Sequence, residues 1–137
     1  MAKKTQRAQV DPGEFASFRK TAEQFMKAAK LAREHGYGNA AGLLFIHAAI
    51  AYADAVSIRL AGMKSTSDNH HDAIPLLSEA AARQKDRDKA TGHLRRLIDE
   101  KNRVSYTGES FRPAEMESLE THAERFQDWC ENVLGAR

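Results

Sequence analysis

Cysteine is almost absent from this chain. Cys130 is the single one among 137 residues, which excludes an internal disulfide and any Cys-x-x-Cys zinc or redox centre. Next to Trp129 it reads as a small apolar core residue. Proline occurs three times and glycine eight times. Both fall almost entirely between periodic segments, and no alternating run marks a strand. No unbroken apolar run approaches the roughly 20 residues that a bilayer crossing needs. The opening MAKKTQRAQVDP has no apolar stretch of the signal-peptide kind. A cytoplasmic protein without membrane association is therefore expected. An excess of one charge is lacking too: 21 Lys and Arg stand against 19 Asp and Glu, a net charge of +2 with a pI near 8.8. That mild basic bias does not by itself announce nucleic acid. A Gly-rich phosphate loop, a Ser/His/Asp order and a zinc signature are all missing, so no cofactor and no metal site are expected.

What is present is helical periodicity, with 42% hydrophobic content, enough at this length for one domain with a substantial core. The pattern predicts an all-α, antiparallel bundle of four long helices plus one short helix. Residues 1–11 read as a loose basic arm and 12–137 as the single helical domain. The first helix is expected over about 12–35, with Asp11 and Pro12 at its start and Phe15, Phe18, Ala22, Phe25, Ala29 and Ala32 on one face. The second, from just after Asn39 to about Met63, is apolar nearly all round and should be the buried centre. A polar, turn-rich stretch, KSTSDNH, leads to the short helix over about 71–82, with Pro75 in its first turn. The fourth helix spans about 86–106 and stops at Thr107-Gly108, where glycine suits a left-handed cap. The fifth spans about 113–134.

Polar side chains interrupt two of these apolar stripes. On the fourth helix, Leu94, Leu97 and Ile98 are followed at seven-residue spacing by Lys101, Val104 and Ser105, so a lysine stands where a core residue is due. Lys101 and Arg103 can simply complement the helix's negative end; alternatively Lys101, Asn102, Arg103 and Tyr106 gather at a cleft mouth and hold a phosphate. On the second helix the line Leu43, His47, Ile50, Asp54, Ser57 carries three polar groups that need partners. Asp54 could form a buried ion pair with the basic fourth helix, or orient Lys101 or Arg103 towards a ligand. Asn69, His70, His71 and Asp72 are read as capping and turn residues, adjacent loop histidines being weak evidence for a metal. His35 and His122 read as isolated surface residues.

The stretch GNAAGLLFIHAAIAYADAVSIRLAGMKSTSDNHHDAIPLL, followed by EKNRVSYTG, resembles the HEPN domains, and the resemblance covers roughly residues 13–134. It implies a helical bundle that dimerises. It also implies either a metal-independent RNase or a non-catalytic module that binds nucleotides or partners, in some cases a nucleotidyltransferase in a toxin–antitoxin type of system. The RNase version carries Arg, a polar residue, and His four to six residues after the Arg. Here Lys101, Asn102 and Tyr106 take those positions. Lysine loses the bidentate fork of arginine, and a tyrosine with a pKa of about 10 is no proton shuttle near neutral pH. Arg87 and His93 satisfy Arg-x5-His, but chance alone yields roughly one or two such spacings in a chain of this composition. They lie at the start of the helix rather than its end. The resemblance thus implies a non-catalytic, dimeric domain that binds a nucleotide, an RNA phosphate or a protein partner through Lys101, Asn102, Arg103, Tyr106, Asp54 and His47. The alternatives are a divergent RNase using Lys101 or Arg103 and Tyr106, and a structural scaffold.

Overall fold

The computed structural model describes residues 6–136, without the side chains of Ser105 and Tyr106. In chain order these residues form β1 (Arg7–Gln9), a 3-10 turn at Pro12–Glu14, α1 (Phe15–Glu34), α2 (Gly38–Ala61), β2 (Met63–Ser65), a second 3-10 turn at His70–Asp72, α3 (Ala73–Ala80), α4 (Arg87–Thr107) and α5 (Pro113–Leu134). The all-α bundle with four long helices and one short one is as the periodicity predicts, and 77% of the residues are helical.

α2 is the axis of the bundle and packs against all four other helices. Its many alanines let neighbouring backbones come close, while Phe45, Ile46, Tyr52 and Val56 fill the space towards Leu94, Leu97, Phe126 and Leu134. By length and apolarity α2 meets the requirements of a bilayer-crossing helix, yet 72% of its most apolar window is buried inside the protein. Its apolar girth is thus taken up by the other helices. Closest approach falls at Gly42, where a Cβ would lie 2.3 Å from the Phe111 ring. Asn39, one turn earlier, binds the same loop, its Oδ1 accepting from the Phe111 N–H at 2.9 Å. The start of α2 therefore anchors the α4–α5 connection. Gly108, at φ 73°, ends α4 in the left-handed conformation expected of it.

Two features depart from the sequence reading. The arm expected to be loose is paired from Arg7 to Gln9. β1 runs antiparallel to β2 with Arg7 opposite Ser65 and Gln9 opposite Met63, and Arg7 reaches Glu79 at 2.7 Å. Strands of three residues are too short for a period-two pattern to register, so local sequence carries no sign of them. Residues 1–5 lie outside the described residues. α3 also starts later than expected, at Ala73, because the Asn69 side chain accepts from the His71 N–H at 3.1 Å and caps a 3-10 turn first.

Among the described residues a polar knot crosses the interior. Arg19 of α1, buried, ion-pairs with Glu131 of α5 and donates to the Gly135 carbonyl at 2.9 Å. The Tyr52 hydroxyl of α2 donates to the other Glu131 oxygen at 2.8 Å and accepts from Gln127 at 3.0 Å. Burial, with Glu131 and Glu23 adding to it, pushes the Tyr52 phenol far above its ordinary range.

Candidate functional site

Beside the buried face of α4, a recess of about 500 Å³ opens between that helix and the turn that precedes α3. Ile98, Lys101 and Asn102 line it from α4, and Asp68, Asn69, His70 and His71 line it from the turn. His47 of α2 stands behind, its ring centroid 6.3 Å from that of His70 and 6.0 Å from that of Phe25. α4 supplies Lys101 because the Leu94–Leu97–Ile98 stripe turns it towards the rest of the bundle, where it is half-buried rather than solvated.

The turn is built to hold its histidines. Ser67 Oγ donates to Asp72 Oδ2 at 2.5 Å and accepts from the Asn69 N–H at 3.1 Å. His71 Nε2 lies 2.6 Å from Asp99 Oδ1 and its Nδ1 lies 3.2 Å from Asn69 Oδ1, which fixes the ring between α4 and the turn. His70 and His47 make no hydrogen bond through their ring nitrogens among the described residues, and both titrate below the usual histidine range. For each the main cause is burial, followed by the charge of Lys101; for His70, the neighbouring His47 and His71 add to this and Asp68 opposes it. Both rings are therefore neutral near neutral pH. Lys101 itself has no carboxylate within ion-pair distance among the described residues. A half-buried ammonium in no ion pair among the described residues, beside two neutral imidazoles and an exposed amide and with Asp68 as the acid of the lining, can receive an anion.

Of the residues singled out in the sequence, Lys101, Asn102 and His47 come together here. Arg103 turns elsewhere, since positions two apart on a helix do not face each other. It lies 3.0 Å from Glu100, 2.7 Å from Glu115 and 3.9 Å from Glu109, with its guanidinium 5.4 Å from the Phe111 ring centroid. These contacts hold the α4–α5 connection. Asp54, two turns beyond His47 on α2, has Lys64 of β2 as the charge acting on it; burial raises its carboxyl to about 6 against the pull of that lysine. The Tyr106 side chain lies outside the described residues. His70, His71 and Asp99 were not legible as site residues, because the 28 positions between His71 and Asp99 conceal their contact. The nearest signal was the His-His pair, which a turn explained equally well. His122 is not isolated: its Nδ1 is 2.8 Å from His93 Nδ1.

The family model for the HEPN domain matches residues 16–133. The chain belongs to the HEPN family. No curated protein and no solved structure matches it. Membership supports a nucleotide- or RNA-related function for this HEPN domain, and the Lys101 recess is where the residues singled out in the sequence offer an anion a charge and hydrogen bonds.

Proposed function

We propose that this HEPN domain is a cytoplasmic, dimeric binding module that holds the phosphate of a nucleotide or of RNA in the Lys101 recess, without catalysing a reaction. The single observation that carries the reading is the unpartnered Lys101 ammonium beside the Asn102 amide and the neutral His47 and His70 rings. Lys101 supplies the charge. The Asn102 amide and the one N–H of the neutral His70 ring donate hydrogen bonds to phosphate oxygens. A nucleotidyltransferase in a toxin–antitoxin pair is the protein partner that the family resemblance suggests, and a neighbouring gene of that kind would support it. The test is binding of ATP and of a single-stranded oligoribonucleotide to the purified protein over a range of salt. Lys101→Ala should weaken whichever ligand binds by about tenfold and flatten the salt dependence by close to one phosphate contact. Arg103→Ala should leave the salt slope unchanged. Equal affinity in wild type and Lys101→Ala would sink the proposal.

One observation favours a second reading, a divergent metal-independent RNase. No histidine follows Lys101 on α4 at the motif spacing, but His70 lines the same recess as Lys101, with His71 held by Asp99 beside it. In that case His70 moves the proton of the attacking 2′-hydroxyl and Lys101 stabilises the phosphorane charge, with Tyr106 as a further candidate on α4. Cleavage of single-stranded RNA in the presence of a chelator, lost in His70→Gln, would establish it. Loss in Tyr106→Phe would bring the tyrosine into the same machinery.

A further inference from the structure

A second hollow, of about 760 Å³, lies between α4 and α5, with the imidazoles of His93 and His122 in its lining. The two rings approach Nδ1 to Nδ1 at 2.8 Å, with centroids 5.0 Å apart. At that distance one nitrogen must donate and the other accept, so the two Nδ1 atoms share a single proton. Four cations line the same hollow: Lys89, Arg95 and Arg96 from α4 and Arg125 from α5. None of the four has a carboxylate within ion-pair distance among the described residues. Asp99, the one acid lining the hollow among the described residues, is held by His71 at 2.6 Å. Beyond Arg96 and His122, Glu100 and Glu115 line an adjoining hollow, and both are in ion pairs with Arg103.

Like charges gathered around a neutral pair repel one another unless something of opposite sign joins them. The same cations disfavour protonation of the rings. Burial first, then His122, Arg125 and Lys89, hold His93 below its usual range; burial, then Arg96 and Arg125, do the same for His122. Cations without counter-ions also argue against a metal at this pair, although two imidazole nitrogens converge there.

We propose that the α4–α5 hollow is a proton-linked site for a tetrahedral dianion of the phosphate-ester class. An oxyanion entering between the rings breaks the Nδ1–Nδ1 bond and draws one proton from solvent onto the pair. Both rings then donate to the anion while Arg96 and Arg125 neutralise it. One proton is taken up per anion bound, and no bond to phosphorus forms or breaks. The site is separate from the Lys101 recess, with Asp99 and His71 standing between the two, and it stands whether or not that recess binds phosphate.

Sulfate is the probe, because it takes up no proton of its own near neutral pH and any pH dependence then belongs to the protein. Binding is followed through the ring resonances of His93 and His122. Affinity should rise about tenfold for each unit of pH lowered while the free pair is neutral, the slope for one proton taken up. His122→Asn should remove the slope, and His93→Gln serves as a second test should the first variant fold poorly by circular dichroism. Arg125→Gln should weaken sulfate several-fold and keep the slope. Binding independent of pH in the wild type, a slope retained in His122→Asn and His93→Gln, or no response of the two rings to sulfate at any pH would each overturn the proposal.

Discussion

Lys101 and Arg103 stand two positions apart on α4, so their side chains leave the helix roughly 200° apart. One lines a recess and is in no ion pair among the described residues, and the other is enclosed by Glu100, Glu109 and Glu115. Residue type alone did not separate them; helical phase does. Asp54 teaches the same lesson on α2. It shares a stripe with His47, but two turns of helix carry it to Lys64 and into burial that raises its carboxyl to about 6. A carboxyl whose folded pKa lies above its unfolded value, near 4, binds its proton more tightly in the native state. Native stability from this group is therefore greatest below pH 4 and falls as pH rises through about 6. Asp54→Asn removes that penalty. Above pH 7 the variant should be more stable than wild type by about 1–3 kcal/mol, and the gain should vanish near pH 4. Urea unfolding at several pH values measures it; a gain that does not change with pH would mean that the carboxyl is not titrating as the burial implies.

At the scale of elements, the long helices were legible and the short pieces were not. α2, α4 and α5 announce themselves by sustained periodicity, by Gly108 after α4 and by Pro113 at the start of α5. β1 and β2 have no such signal, because their pairing is fixed by where α2 returns the chain rather than by their own six residues. The polar knot was hidden for a related reason: 112 positions separate Arg19 from Glu131, and only the packing of α1 on α5 across Tyr52 brings them together. The recess was half legible. Lys101 and His47 stood out as polar breaks in apolar stripes and Asn102 as their motif neighbour, while the turn histidines did not. The knot has a measurable consequence for α1. Glu131→Ala leaves the Arg19 guanidinium buried with the Gly135 carbonyl and the more distant Glu23 as its remaining partners. The loss should be about 2–4 kcal/mol, since a charge left uncompensated in the interior costs more than the pair contributes. Tyr52→Phe, which removes one hydroxyl, should lose about 1 kcal/mol. A Glu131→Ala variant within about half a kcal/mol of wild type in denaturant titration would show that solvent reaches the arginine.

For the whole molecule the open matter is assembly. Asn39 at the start of α2 binds the connection that follows α4, so the beginning of α2 and the end of α4 share one end of the bundle. Two large apolar side chains stand exposed where α1 passes into α2: Leu31, 57% exposed, and Tyr37, 65% exposed. A standard interface buries about 800 Å² per partner, a tenth of the 8013 Å² of this surface, and those two side chains at that end provide the apolar centre it would need. A homodimer along the ends of α2 and α4 would also bring two Lys101 recesses near each other, doubling the phosphate contacts offered to one RNA strand. Sedimentation at tens of micromolar should give a dimer, since an interface of this size commonly binds in the micromolar range or tighter. Leu31→Asp with Tyr37→Asp should yield a monomer. The melting temperature of that monomer, measured at equal low concentration, should stay within a few degrees of wild type, because both side chains are more than half exposed and the Tyr37 ring stacks only on His35 at the surface. A wild-type protein that sediments as a monomer throughout that range would refute the dimer, and a dimer untouched by both substitutions would move its interface to another face.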